Sequence, residues 1–193
     1  NKIKIVIDVT HPFAQIISSK LKKACNEIKV PLLFFHRESS IRESNNFKYI
    51  SHLKDINKKC LKNKNILLAI GSRLLNDTAN FYMNFGANVF TRVLPTHESI
   101  SKAFGSSIKK SNIAILQPSK NGEIVFEKFL CEFWDIDYVL CRQSGSYSQR
   151  NWERIISGSD RKLFLVKKPK FKYGNYSFFS NYDTLIEYIA RKY

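Results

Sequence analysis

The chain has 193 residues, 44% of them hydrophobic and 13% aromatic, which is enough for an ordinary globular core in one domain or two small ones and excludes a disordered chain. Lysine and arginine outnumber acids 32 to 16, a formal charge of +16, so the chain either attracts a polyanion or carries a diffuse basic bias. No apolar run is long enough to span a bilayer and the first residues do not read as a signal peptide, so the expected location is the cytoplasm and no membrane partner is expected.

Ile3, Ile5, Val6 and Ile7 form a short apolar run suited to a strand covered on both faces, and it runs into Asp8-Val9-Thr10-His11-Pro12-Phe13-Ala14. Pro12 presets φ for the first turn of a helix, which is expected at once, with Phe13, Ile16, Ile17, Leu21, Ala24 and Ile28 as its core-facing stripe. Further apolar runs at Val30–Phe35, Ile66–Ile70, Val89–Leu94, Ile113–Leu116, Ile136–Cys141 and Leu163–Val166 read as strands. Ile124, Phe126, Phe129, Leu130 and Phe133 mark one intervening helix, and Leu185, Ile186 and Ile189 mark the last, with Asn181 as its N-cap. Thr96 caps another helix, with Glu98 in its first turn. Glu38 to Lys64 has weak periodicity and reads as a poorly defined helix and linker; Lys167 to Tyr176 reads as a basic loop. Strands alternating with helices in this way predict an α/β fold with parallel, doubly wound Rossmann-like sheets in two lobes, the first incomplete. The boundary is expected near residue 60, giving 1–60 and 61–193. Cys25, Cys60, Cys131 and Cys141 show no CxxC spacing and read as reduced packing residues; the histidines lack ligand-like spacing, and no metal is assigned.

The strands end in Asp8-Val9-Thr10-His11, His36-Arg37-Glu38, Gly71-Ser72-Arg73, Arg92 with Pro95, Gln117-Pro118-Ser119-Lys120, Arg142-Gln143-Ser144-Gly145 and Lys167-Lys168-Pro169. In a parallel sheet such ends share one edge, so the cations they carry are expected to converge on a cleft for an anionic ligand. Zinc-finger spacing, a single basic helix and an aromatic-glycine single-strand binder are all absent, which ranks nucleic acid last among partners.

Four segments, in order, carry a resemblance: IDVTHPFAQIIS at 7–18, VPLLFFHRE at 30–38, LLAIGSRLL at 67–75 and FTRVLPTHESISKAF at 90–104. With them the chain resembles the precorrin-6A reductase family of cobalamin biosynthesis, and its Arg-Val-Leu-Pro-Thr segment is most similar to the cyanobacterial form. The resemblance implies two Rossmann-like lobes holding NADPH and a corrinoid macrocycle. It also implies hydride transfer from NADPH to a conjugated double bond of precorrin-6A, or cobalt-precorrin-6A, giving the 6B form. Two departures stand out. The family's opening strand and Gly-Gly-Thr phosphate loop have no counterpart here, and no GxGxxG occurs. Downstream, the family's Thr-Lys-x-Ser-Gly segment is Cys141-Arg142-Gln143-Ser144-Gly145, which exchanges a point ammonium for a planar fork.

A many-armed acid needs cations around a wide pocket and a proton source as hydride arrives. Arg37, Arg73, Arg92 and Arg142 suit carboxylate or phosphate clamping, because guanidinium binds either group bidentately; the alternative is surface arginines that solvate a sheet edge. His11 is the expected proton donor, with a helix-capping role as the alternative. Thr10, Arg37, Arg92, Arg142 and Ser144 are assigned to the polycarboxylate substrate; Asp8, Gly71, Ser72, Arg73 and Gly145 to NADPH. Asp8 also reads as an acceptor for N–H groups in its own turn, and Thr10 as a cap. Competing readings are a non-catalytic module that binds a corrinoid or another polyanion, and a basic nucleic-acid-binding α/β protein.

Overall fold

The computed structural model describes residues 3–37, 43–119, 121, 123–169 and 175–192. They divide into two compact units, one built from the described residues up to Arg37 and from Lys168 onward, the other running from Glu43 to Lys167.

The first unit holds β1 (Val6–Asp8), α1 (Gln15–Glu27), β2 (Leu32–Phe35), β9 (Ser177–Phe179) and α6 (Tyr182–Lys192). Its sheet is parallel, in the order β1-β2-β9. Leu32, Leu33, Phe34 and Phe35 are all buried, as a strand covered on both faces requires. The second unit holds β3 (Phe47–Ile50), β4 (Asn65–Ala69), α2 (Leu75–Asn84), β5 (Asn88–Val93), α3 (His97–Phe104), β6 (Ile113–Ile115), α4 (Val125–Phe133), β7 (Tyr138–Arg142), α5 (Tyr147–Ser157) and β8 (Lys162–Val166). Its strands form one parallel sheet in the order β3-β8-β7-β4-β5-β6. Leu67, Val139, Cys141, Leu163 and Leu165 line the face on which Trp152, Ile155 and Ile156 of α5 pack, with Cys131 of α4. This is the doubly wound α/β class that the apolar runs predict. Among the described residues, no helix is long and apolar enough to cross a membrane.

Several expectations are corrected. The division does not fall at residue 60: the expected linker contains β3, which pairs with β8 from Phe47↔Leu163 to Ile50↔Val166. The chain then returns to the first unit, where β9 pairs with β2 and α6 buries Leu185 against Leu33 and Phe35. Glu38, Lys120 and residues 170–174 of the expected basic loop lie outside the described residues. The helix after Pro12 does not start at once: the Ala14 N–H donates to the His11 carbonyl at 2.7 Å, closing a turn, and α1 begins at Gln15. It buries Ser18 and Cys25 and leaves Ile16, Ile17 and Ile28 exposed. In α4 the rotation is larger. Glu127 and Cys131 face inward, while Val125, Phe126, Phe129 and Phe133 are 55–70% exposed, forgoing roughly 1.5–3 kcal/mol of burial each. Cys25, Cys131 and Cys141 are buried free thiols, and burial pushes the last two up to about 12; Cys60 is exposed.

Candidate functional site

Strand order in the second unit reverses at β4. The chain moves outward through β5 and β6, then resumes on the other side of β4 with β7 and β8. Beyond the carboxyl ends of strands at such a reversal, helices depart in opposite directions and leave a crevice. The Ala69↔Cys141 pairing brings Gly71, Ser72 and Arg73 after β4 beside Arg142, Ser144 and Gly145 at the end of β7. Gly71 has φ +78°, the left-handed region glycine favours, and open space extends for 4 Å around where a Cβ would stand. A ligand can approach its backbone closely.

Charge concentrates at this edge. Burial lowers the pKa of the half-buried Arg142; neighbouring Cys141 opposes the shift and the like charge of Arg73 adds to it. Past β7 the chain turns at Gly145, φ +64°, into the first turn of α5. The Ser144 and Gly145 N–H groups both donate to Gln149 Oε1, at 2.6 and 2.8 Å, and Ser146 Oγ accepts from the Gln149 N–H at 3.4 Å. Arg150 Nη1 donates to the Gly145 carbonyl at 2.8 Å and fixes that peptide's orientation. This is a capping box displaced by one or two residues. The Ser146-x-x-Gln149 spacing was the sequence signal for it, and the expected site residues did not include either member.

Arg92 corrects its expectation. It is not a rim side chain: at the end of β5 it is 7% exposed, donates through Nη2 to Ser148 Oγ at 2.9 Å and lies 5.8 Å from the Trp152 ring centroid. Burial lowers its pKa, against which Cys141, Glu127 and Tyr147 act. Among the described residues, its Nε, Glu127 Oε1 and Trp152 Nε1 are buried without a hydrogen-bond partner. Glu127 gives no sign in the sequence, where it sits beside an apolar stripe.

The remaining expected residues belong to the first unit. Asp8, 1% exposed, closes β1: its Oδ1 accepts the Thr10 N–H at 2.9 Å, the turn role read from the sequence. Burial opposes its charge, but hydrogen bonds from Ser18 and Thr10, with nearby His36, outweigh burial and hold its pKa below the usual range. Thr10 Oγ1 lies 3.4 Å from Ser18 Oγ of α1. His11 is exposed, and its Nδ1 accepts the Phe13 N–H at 3.3 Å, inside the turn that precedes α1. Arg37 is exposed directly after His36. His36, given no role in the sequence, is 2% exposed, lies edge-on to Phe34 and Phe178, and continues the β2–β9 ladder through its N–H to the Phe179 carbonyl at 3.0 Å. Burial lowers its pKa, Asp8 opposes that and Lys168 adds to it.

A cavity of about 280 Å³ lies at the opposite edge of the second unit's sheet, lined by Asp135, Ile136, Asp137, Asp160 and Arg161. Its groups are committed to structure: Asp137 takes Lys64 Nζ and the Asn65 N–H, and Arg161 donates to the Ile136 and Cys131 carbonyls.

Residues 1–190 match the profile of the family described as precorrin-6x reductase CbiJ/CobK. The chain belongs to this family. Among reductases of similar sequence, the cobalt-precorrin-6A reductase of Synechocystis sp. is 24% identical over 76% of this chain and 56% of its own length. That of Methanocaldococcus jannaschii is 25% identical over 97% of this chain and 72% of its own. The chain therefore spans little more than half of the first relative and nearly three quarters of the second. A solved structure, CobK precorrin-6A reductase, superposes with a TM-score of 0.73 at 15% identity, over 98% of this chain and 73% of that one. It shares the parallel, doubly wound α/β fold described above.

Proposed function

We propose that this chain serves in cobalamin biosynthesis as an NADPH-dependent reductase of precorrin-6A or cobalt-precorrin-6A, forming the 6B product. Membership of the family over nearly the whole chain supports the reaction class. What supports the site is that Arg73 follows β4 and Arg142 ends β7, paired neighbours at the strand-order reversal, near the start of α5. Guanidinium groups at such a crevice suit a phosphate or carboxylate, which each binds bidentately.

The residues fit a phosphate-bearing cofactor in one respect that the structure displays: Gly71 leaves its backbone open on the ligand side. Gly71, Ser72, Arg73 and Gly145 would hold such a group, and bound NADPH would supply the hydride. Arg142 and Ser144 orient acetate and propionate arms of the macrocycle. His11, in the turn before α1, is the proposed proton donor. Asp8 shapes the turn that sets His11.

The test is NADPH-dependent bleaching of precorrin-6A absorbance. The proposal expects turnover that requires both components. Tight macrocycle binding with no bleaching would replace it with a non-catalytic binding module.

A further inference from the structure

The Ser144-Gly145 loop past the end of β7 is held by a side chain rather than by its own backbone. Two successive N–H groups, those of Ser144 and Gly145, converge on Gln149 Oε1 at 2.6 and 2.8 Å. Gln149 is 2% exposed, so a bond lost here is not made good by water. Its amide turns the oxygen to both donors only if its NH2 end has an acceptor elsewhere. Glu153, one turn further along α5, supplies it: Gln149 Nε2 donates to Glu153 Oε1. In a chain with 32 lysines and arginines against 16 acids, a half-buried carboxylate is expected to find a cation. Among the described residues Glu153 makes no ion pair and meets this neutral amide instead. Two contacts close the loop from its other side: Ser144 Oγ lies 2.8 Å from Ser146 Oγ, and Arg150 Nη1 donates to the Gly145 carbonyl at 2.8 Å. A capping box needs only Ser146 and Gln149. Glu153 adds nothing to helix termination; what it fixes is the way the Gln149 amide points.

We infer that Gln149 and Glu153 are positioning residues for the polycarboxylate substrate: Glu153 orients the Gln149 amide, and Gln149 holds the loop in the conformation that presents Ser144 and Arg142 to a carboxylate arm of the macrocycle. This rests on the assignment of Arg142 and Ser144 to the macrocycle made above. Fixing the loop before the ligand arrives removes an ordering cost from binding, so the effect falls on affinity. Neither side chain takes part in hydride transfer, so the rate within the bound complex is unaffected. A Gln149 that only capped α5 would lower stability on removal and leave the affinity of the folded protein unchanged.

The experiment joins a fluorescence titration with uroporphyrin, a polycarboxylate macrocycle, to steady-state reduction of precorrin-6A. Both are run on wild type, Gln149→Met, Gln149→Glu and the exchange Gln149→Glu, Glu153→Gln. Methionine keeps the length of the side chain and removes both amide functions. Folded Gln149→Met should bind uroporphyrin about tenfold more weakly, the size expected for one or two buried hydrogen bonds. Its KM for precorrin-6A should rise equally, with kcat within about twofold of wild type. Gln149→Glu sets two carboxylates against each other and should bind as weakly. The exchange restores the arrangement with the charge moved: a carboxylate at 149 accepts both N–H groups and an amide at 153 donates to it. Its affinity should return to within about threefold of wild type. Folded Gln149→Met with wild-type Kd and KM overturns the inference and leaves the assignment of Arg142 and Ser144 intact, and so does an exchange that binds no better than Gln149→Glu. A wild type that neither binds uroporphyrin nor reduces precorrin-6A overturns the substrate reading as well. Should either single variant fail to fold, the exchange decides alone, and an affinity more than about threefold below wild type overturns the inference.

Discussion

Replacing Arg92 with alanine should destabilise the second unit substantially. The side chain is buried against Trp152 and braces Ser148. Removing it empties the space beside Trp152 and takes the donor from Ser148, and truncating a large buried side chain to alanine costs about 2–5 kcal/mol. For a chain of this size each kcal/mol lowers Tm by roughly 2–4 °C, so a fall on the order of 10 °C is expected. Arg73→Ala is the control, because Arg73 is exposed and its removal should change stability by no more than about 0.5 kcal/mol. Thermal unfolding followed by circular dichroism, with both variants beside wild type, makes the comparison. An Arg92→Ala protein melting within about 2 °C of wild type would refute the reasoning, and would return Arg92 to the rim position that its place at a strand end first suggests.

His36 predicts a pH dependence. Its folded pKa lies below the ordinary 6.5, so the unfolded chain binds the extra proton first; stability is full above 6.5 and falls as pH drops from there toward the folded value. Urea unfolding midpoints between pH 8 and pH 5 should therefore decline less in His36→Leu than in wild type, and equal declines would exclude His36 as the cause. Asp8 does not interfere in that range, because its lowered pKa makes its contribution fail only below about 3.8. Gly71→Ala should cost about 1–2 kcal/mol through its positive φ alone, since nothing stands where the methyl would go; a guanidinium melt reads this, and a much larger loss would indicate an unseen clash.

The parallel core was legible because buried strands are written as continuous apolar runs: Ile66–Ile70, Ile136–Cys141 and Leu163–Val166 predict β4, β7 and β8 within a residue or two. Local capping chemistry was legible too. Thr96 Oγ1 accepts the Ser99 N–H at 3.3 Å, and Asn181 Oδ1 accepts that of Asp183 at 2.6 Å. What escaped depends on partners distant in sequence. β3 and β9 are short edge strands whose identity comes from pairing with β8 and β2, and without them the boundary falls in the wrong place. Periodicity marks a stripe on α1 and α4 but does not say which side meets the sheet, so Ile16, Ile17 and the α4 phenylalanines were assigned inward. The cationic strand ends put Arg73 just past β4 and Arg142 at the end of its neighbour β7, yet could not distinguish an exposed Arg37 from a buried Arg92, because both follow the same pattern of strand and charge.

The most direct test of the account is where an anion binds. Amide proton–nitrogen spectra of the protein titrated with NADPH should shift the Gly71, Ser72, Ser144 and Gly145 N–H resonances at the carboxyl edge of the second unit's sheet. Shifts confined to Asp135, Asp137 and Asp160 at the opposite edge, or no shift at saturating NADPH, would contradict it.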